Sequence, residues 1–252
     1  MTAVPNPAAH GSAAARLVVA VTAAATECLG RELPLGTTVV TSPAREGSAI
    51  AVAYPLGPRT IVWCAPALSD TLAPLNGPSA LSNDEFVRRA GDLGGALEGA
   101  AHHRVLSIPA PDPAIETSRL MVLDRDDASH RMLISAFIDH CSDDDLDEAE
   151  LDMDQLDEAI VGVLDESGAL ASYASARPWV FDAQFDDVAV ITRPDHRGRG
   201  LGTAAVAAFS QRRQRIGRTM FYSCDVENVG SSRLAEAVGF ELVYTVTGVS
   251  FS

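Results

Sequence analysis

Not one lysine occurs in the 252 residues; all 19 Lys/Arg positions are arginine, set against 34 acids for a formal net charge of −15. A surface this acidic has little with which to neutralise a phosphate backbone. Nonspecific nucleic-acid binding is therefore excluded as an expectation, and a cationic partner is the better electrostatic match. Long apolar runs are missing too. The longest, Leu17 to Ala25, is too short to span a bilayer and is interrupted by Thr22. Only Arg16 precedes it, so it lacks the basic start of a signal peptide. The expectation is a cytoplasmic chain without membrane association, opening with a disordered tail over residues 1–12 and then a core helix. Cysteine is scarce. Cys28, Cys64, Cys141 and Cys224 lie far apart with no C-x-x-C pair, which argues against a disulfide framework and a zinc site and fits reduced thiols. Asp139-His140-Cys141 mixes hard and soft ligands with no second histidine at ligand spacing, so no metal is expected.

The charge that is present is unevenly spread. Residues 1–119 hold 10 acids against 8 arginines (−2), and residues 120–252 hold 24 against 11 (−13). Eleven of those acids fall between Asp139 and Glu158, with no base among them, on apolar residues spaced as in a short helix.

Periodicity and turn signals predict a helix over Ala13–Leu29 and strands at Thr37–Val40, Ser48–Tyr54 and Arg59–Cys64. They predict a further helix from Ser82, with Glu85 as its capping-box partner. His102-His103 reads as a polar helix end. The run Ile108-Pro109-Ala110-Pro111-Asp112-Pro113 is the best linker, which puts a boundary near residue 115. It separates a smaller α/β domain, 13–115, from a second domain, 119–252. In the latter, strands at 119–123, 160–164, 169–176, 187–192, 220–224 and 242–249 alternate unevenly with helices. That order argues for a mixed sheet in an α+β fold. Nothing in residues 1–118 assigns them a chemistry.

The informative segment is Val188-Ala189-Val190-Ile191-Thr192-Arg193-Pro194-Asp195-His196-Arg197-Gly198-Arg199-Gly200-Leu201-Gly202. A strand runs through a proline turn and a glycine-rich loop into a helix. Glycine lets a ligand approach the backbone closely, the first-turn N–H groups of the helix favour an anion, and Arg197 and Arg199 add charge-assisted donors. This is a phosphate or pyrophosphate cradle. It is not a P-loop, because no G-x-x-x-x-G-K-[ST] is present, and it lacks the G-x-G-x-x-G spacing of a dinucleotide fold.

Arg197-Gly198-Arg199-Gly200-Leu201-Gly202 resembles the acetyl-CoA signature [QR]-x-x-G-x-[GA] of the GNAT superfamily of N-acetyltransferases. Downstream, Asn228-Val229-Gly230-Ser231-Ser232-Arg233-Leu234-Ala235-Glu236-Ala237-Val238-Gly239-Phe240 is similar to the family's second signature. The resemblance covers about residues 119–252. It implies a mostly antiparallel mixed sheet flanked by helices, with acetyl-CoA as cosubstrate. Backbone amides at Gly198, Arg199, Gly200, Leu201, Gly202 and Thr203, with Arg197, would hold the pyrophosphate. The strand at Val190, Ile191 and Thr192 would carry a bulge, splay from its neighbour and hold the pantetheine arm. Asn228 and Ser231 would complete the cofactor contacts. The acetyl group would pass directly to a primary amine of a small molecule or peptide. Asp186 is the candidate general base, with Asp187 in reserve. The general acid is unassigned, because Ala235 stands where many members have tyrosine; Tyr222, Tyr244 and Cys224 are the alternatives. Ala235 also motivates a second reading, a noncatalytic acyl-CoA-binding or regulatory protein. The acidic block suits a cationic acceptor, and a homodimer is compatible with the sequence.

Overall fold

The computed structural model describes residues 12–149, 151 and 160–252. The first elements are α1 (Ala13–Leu29), β1 (Gly36–Thr41), β2 (Ile50–Leu56), β3 (Arg59–Cys64), α2 (Ser69–Leu72), α3 (Asn83–Asp92) and β4 (Ala96–Val105). Then come β5 (Leu120–Leu123), α4 (Ala128–Ile138), α5 (Asp143–Glu148), β6 (Ile160–Leu164), β7 (Leu170–Trp179) and β8 (Asp182–Thr192). The chain closes with α6 (Leu201–Gln214), β9 (Thr219–Asp225), α7 (Val229–Val238) and β10 (Glu241–Ser250). The architecture is α+β, and its strand pairs are mostly antiparallel.

Two compact units emerge, and both draw on distant segments. The first runs to Arg104 and takes in Ser223–Val229 and Leu242–Ser252; the second holds Val105–Tyr222 and Gly230–Glu241. They do not coincide with the 13–115 and 119–252 division that the sequence suggests. The physical reason is β10, which lies between β2 and β4 and pairs antiparallel with β2, Thr247 opposite Ala53.

In the first unit the strand order is β1-β3-β2-β10-β4. Ser12 caps α1 by accepting from the Ala15 N–H, and Leu17, Ala20, Val21 and Ala25 form its buried stripe at helical spacing. Ser82 caps α3 as expected, accepting from the Glu85 N–H at 3.3 Å. The Glu85 carboxylate does not return the bond; it takes Arg88 and Arg89 instead. That interaction holds its carboxyl down at about 2. Ala51, Ala53, Val62, Cys64, Phe86 and Val249 pack the core under α3. His102 and His103 lie on β4, not at a helix end. The His102 ring nitrogen Nδ1 meets Thr245 Oγ1 of β10 at 2.9 Å, a partner 143 residues away.

The second unit carries the order β9-β8-β7-β6-β5. Leu123, Ile134, Phe137, Ile160, Leu170, Tyr173 and Ile191 fill the face that α4 covers. Helix α6 packs on β6, β7 and β8. Its Ala204, Ala205 and Ala207 are buried and let the helix approach the sheet closely. Of the acidic block, α5 is described; residues 150 and 152–159 lie outside the described residues. Among the described residues no helix is long and apolar enough to cross a membrane.

Candidate functional site

Strand β8 sits between β7 and β9, and its two ladders differ in length. With β7 it pairs antiparallel from Asp182 to Thr192. With β9 it pairs parallel only at Phe185–Thr219, Asp186–Met220 and Asp187–Phe221. Beyond Asp187 the two strands part. The splay is thus present where the sequence places it, but the bulge is not. The β7–β8 register is regular from Ser172–Thr192 to Pro178–Asp186 and breaks only between Pro178 and Trp179, where proline cannot donate to the ladder.

Register parity decides which backbone groups face the gap. The Arg193 N–H donates to Ala171 O of the β7 side. Alternation then turns Ile191 toward β7 and Val190 and Thr192 toward the opening. Ile191 buries its side chain in the core cluster with Tyr173 and Ile134, and its backbone groups face β7 rather than the gap. Val190 offers its N–H and C=O to the gap. The Thr192 carbonyl accepts from Arg197 Nε at 3.1 Å, and its hydroxyl meets Ser172 Oγ at 2.9 Å.

The loop after β8 is anchored by charge. Asp195 Oδ1 meets His196 Nδ1 at 2.8 Å and Asp195 Oδ2 meets Arg193 at 2.8 Å. Those bonds, His196 first, hold its carboxyl down at about 2. His196 Nε2 also lies 3.5 Å from Asp165 in the β6–β7 turn, so His196 positions the loop. Arg199 donates to its own loop, at Asp195 O. Gly198 and Gly200 have φ of 74° and 75°, and nothing lies within 4 Å of where a Cβ would project. Both positions call for glycine by conformation, and both open onto free space. Gly202 is glycine for the opposite reason. A Cβ there would lie 2.9 Å from Leu234 Cδ1 and 3.0 Å from Thr192 Oγ1. The leucine of the second signature therefore packs on the last glycine of the first.

Gly200 begins α6 without a side-chain cap. Among the described residues, the N–H groups of Gly198, Arg199, Gly200, Leu201, Gly202 and Thr203 have no protein acceptor. An uncapped helix start with an open glycine approach fits an anionic group of phosphate type. A pocket of about 350 Å³ opens beside it, lined by Arg119, His196, Arg199 and Leu201 among others.

The carboxylates are sorted by burial. Asp186, expected as the base, is only 1% exposed. Its Oδ2 accepts from Arg213 Nε at 2.5 Å and its Oδ1 from Arg218 Nε at 2.8 Å. Both oxygens are engaged by arginines, so this residue ties α6 and the start of β9 to β8 and is poorly placed to take a proton. Strand alternation puts Asp187 on the opposite face, the one that carries Ile191 and packs under α4, and it is partly exposed.

Three pairings went unread in the sequence: Asp186 with Arg213 and Arg218, Asp165 with His196, and Asp145 with Arg197. Each joins segments far apart in the chain. Asn228 lies in the first unit, ahead of α7, its N–H donating to Asp225 O. Ser231 Oγ meets the Tyr222 hydroxyl at 2.8 Å, and the Tyr222 ring lies 5.3 Å from Phe240. Ala235 is fully buried one turn beyond Ser231. Tyr244 and Cys224 belong to the first unit.

Residues 173–247 match the FR47-like protein family. The fold is like that of a GCN5-related N-acetyltransferase from Sphaerobacter thermophilus, at 14% identity and a TM-score of 0.54, over 92% of this chain and 90% of that one. An acetyltransferase of the GNAT family from Colwellia psychrerythraea aligns at 11% identity with a TM-score of 0.50, over 76% of each chain. No curated protein matches the sequence. The family match covers residues 173–247, and the fold is the one that these GNAT acetyltransferases share.

Proposed function

We propose that this chain is an N-acetyltransferase that uses acetyl-CoA and a primary amine acceptor. The observation that carries it is the uncapped, glycine-lined start of α6 directly beside the splay of β8 from β9. One element supplies N–H groups for a pyrophosphate; the other supplies the Val190 backbone for an extended arm. Bound there, acetyl-CoA supplies an activated acetyl thioester.

The chain's own residues then do the following. The amides from Gly198 to Thr203 fix the phosphates, and the gap aligns the arm along β8. The Val190 N–H is the oxyanion-type donor. Asp187, partly exposed on the face of β8 that carries Ile191, takes the proton that the attacking amine must lose, directly or through water. The Tyr222–Ser231 hydroxyl pair, one helical turn from Ala235, replaces the absent family tyrosine as proton donor to the leaving thiolate. The acids of α5 favour a cationic small molecule or peptide as acceptor.

The test is calorimetric titration of acetyl-CoA into the parent and a Gly200→Glu, Gly202→Glu variant, followed by thiol release with a panel of amines. Binding by the parent alone, with amine-dependent release, is the expected result; a folded parent that does not bind overturns the reading. Buried Ala235 favours one second reading, a noncatalytic acyl-CoA-binding protein. It predicts binding without amine-dependent release.

A further inference from the structure

Arg197, the first residue of the glycine-rich loop, already holds an anion. Its guanidinium meets Asp145 Oδ1 of α5 at 2.5 Å, while its Nε is spent on the Thr192 carbonyl. The other oxygen of Asp145 accepts from the Ser142 hydroxyl at 2.6 Å, and the Asp145 N–H donates back to Ser142 Oγ at 3.2 Å. One residue thus closes the first turn of α5 and fastens it to the loop.

A carboxylate oxygen on a guanidinium has the same geometry and charge as a phosphoryl oxygen on one. The contact is accessible, with the Arg197 side chain 49% exposed and the Asp145 side chain 22%. It can therefore exchange, unlike the sealed Asp186 pair. Asp143, Asp144 and Asp147 share the helix with no base among them, so a phosphate approaching Arg197 meets repulsion as well as competition.

We infer that Asp145 is an internal competitor for the donor's phosphates at Arg197, so that donor binding detaches α5 from the loop. This rests on the acetyl-CoA reading above. It makes the donor site self-screened: only an anion that also gains the amides from Gly198 to Thr203 displaces the carboxylate. Sulfate or an isolated phosphate gains less and is held off.

Three measurements test it together. Acetyl-CoA is titrated calorimetrically into the parent, Asp145→Asn and Ser142→Ala at low and at high salt. The asparagine keeps an acceptor for Ser142 and loses only the charge; the alanine loosens the same turn and keeps the charge. The expected result is that Asp145→Asn binds about twofold to fivefold more tightly at low salt, the range of an accessible ion pair. The gain shrinks at high salt, and Ser142→Ala lacks it. In the parent, acetyl-CoA should also speed amide hydrogen exchange in α5. Equal or weaker binding by Asp145→Asn, an equal gain in Ser142→Ala, or slower exchange in α5 overturns this inference alone. No binding by any of the three proteins overturns the donor reading and this one with it.

Discussion

Two buried clusters, one in each unit, hold their titratable groups in opposite ways. In the first, His103 is 6% exposed and Tyr244 7%, and their neighbours are rings. His103 lies 5.7 Å from Tyr54 and 5.2 Å from Tyr244. Desolvation pushes the His103 imidazole down to about 3 and the Tyr244 phenol upward, so both stay neutral. In the second unit the buried carboxylate has charged partners: Asp186 lies between Arg213 and Arg218, and at the surface Asp195 is held by Arg193 and His196. A group kept neutral by desolvation is stable and inert; a group kept charged by a partner can anchor a loop that receives an anion. The proposed donor site is built on the second pattern.

The largest expected effect breaks the buried pair. Asp186→Ala leaves two arginines without their carboxylate and should cost about 3–5 kcal/mol, read as a lower urea midpoint. Asp186→Asn and Asp187→Asn then separate structure from catalysis. The first should lose stability. The second should stay folded and lower the acetylation rate about a hundredfold near neutral pH, the low end for a general base. Equal rates for parent and Asp187→Asn would remove that residue from the mechanism.

The first unit predicts a pH effect. His103 is neutral when folded and takes up a proton near 6.5 when unfolded. The unfolded chain therefore binds more protons from about 6.5 down to about 3, so stability is lost as the pH drops through that window. The slope from this one residue is at most about 1.4 kcal/mol per pH unit. His103→Phe should flatten the curve between pH 6 and 4.5, above the range where the depressed carboxyls of Asp165 and Asp195 begin to cost stability. An unchanged slope would mean that the imidazole is not sealed. The smallest effect is Gly200→Ala, strained by its positive φ at about 1–2 kcal/mol but free of clashes. Donor affinity should fall more than stability does.

What the sequence made legible was local. Ser82 and Ser12 lie beside the helices they cap, and the glycine loop lies next to the helix it opens. The site's parity was not legible: whether Val190 or Ile191 faces the gap depends on register with β7, and one residue of shift exchanges them. Nor was the fate of Asp186, whose partners lie 27 and 32 residues downstream. Strand β4 was missed because Ala96–Val105 is exposed at its start and buried only at its end. It lacks a two-residue alternation, and its β10 neighbour is far off in the chain.

Because β10 lies between β2 and β4, the unit that leaves the ribosome first is completed last. Residues 1–104 would wait with a strand missing from the middle of their sheet while the second unit is made. The edges of β2 and β4 stay open to wrong partners until residues 242–252 arrive. A gene cut at the proline-rich stretch after residue 107 would leave that gap permanently, and a peptide supplying β10 is what such a fragment would need to fold.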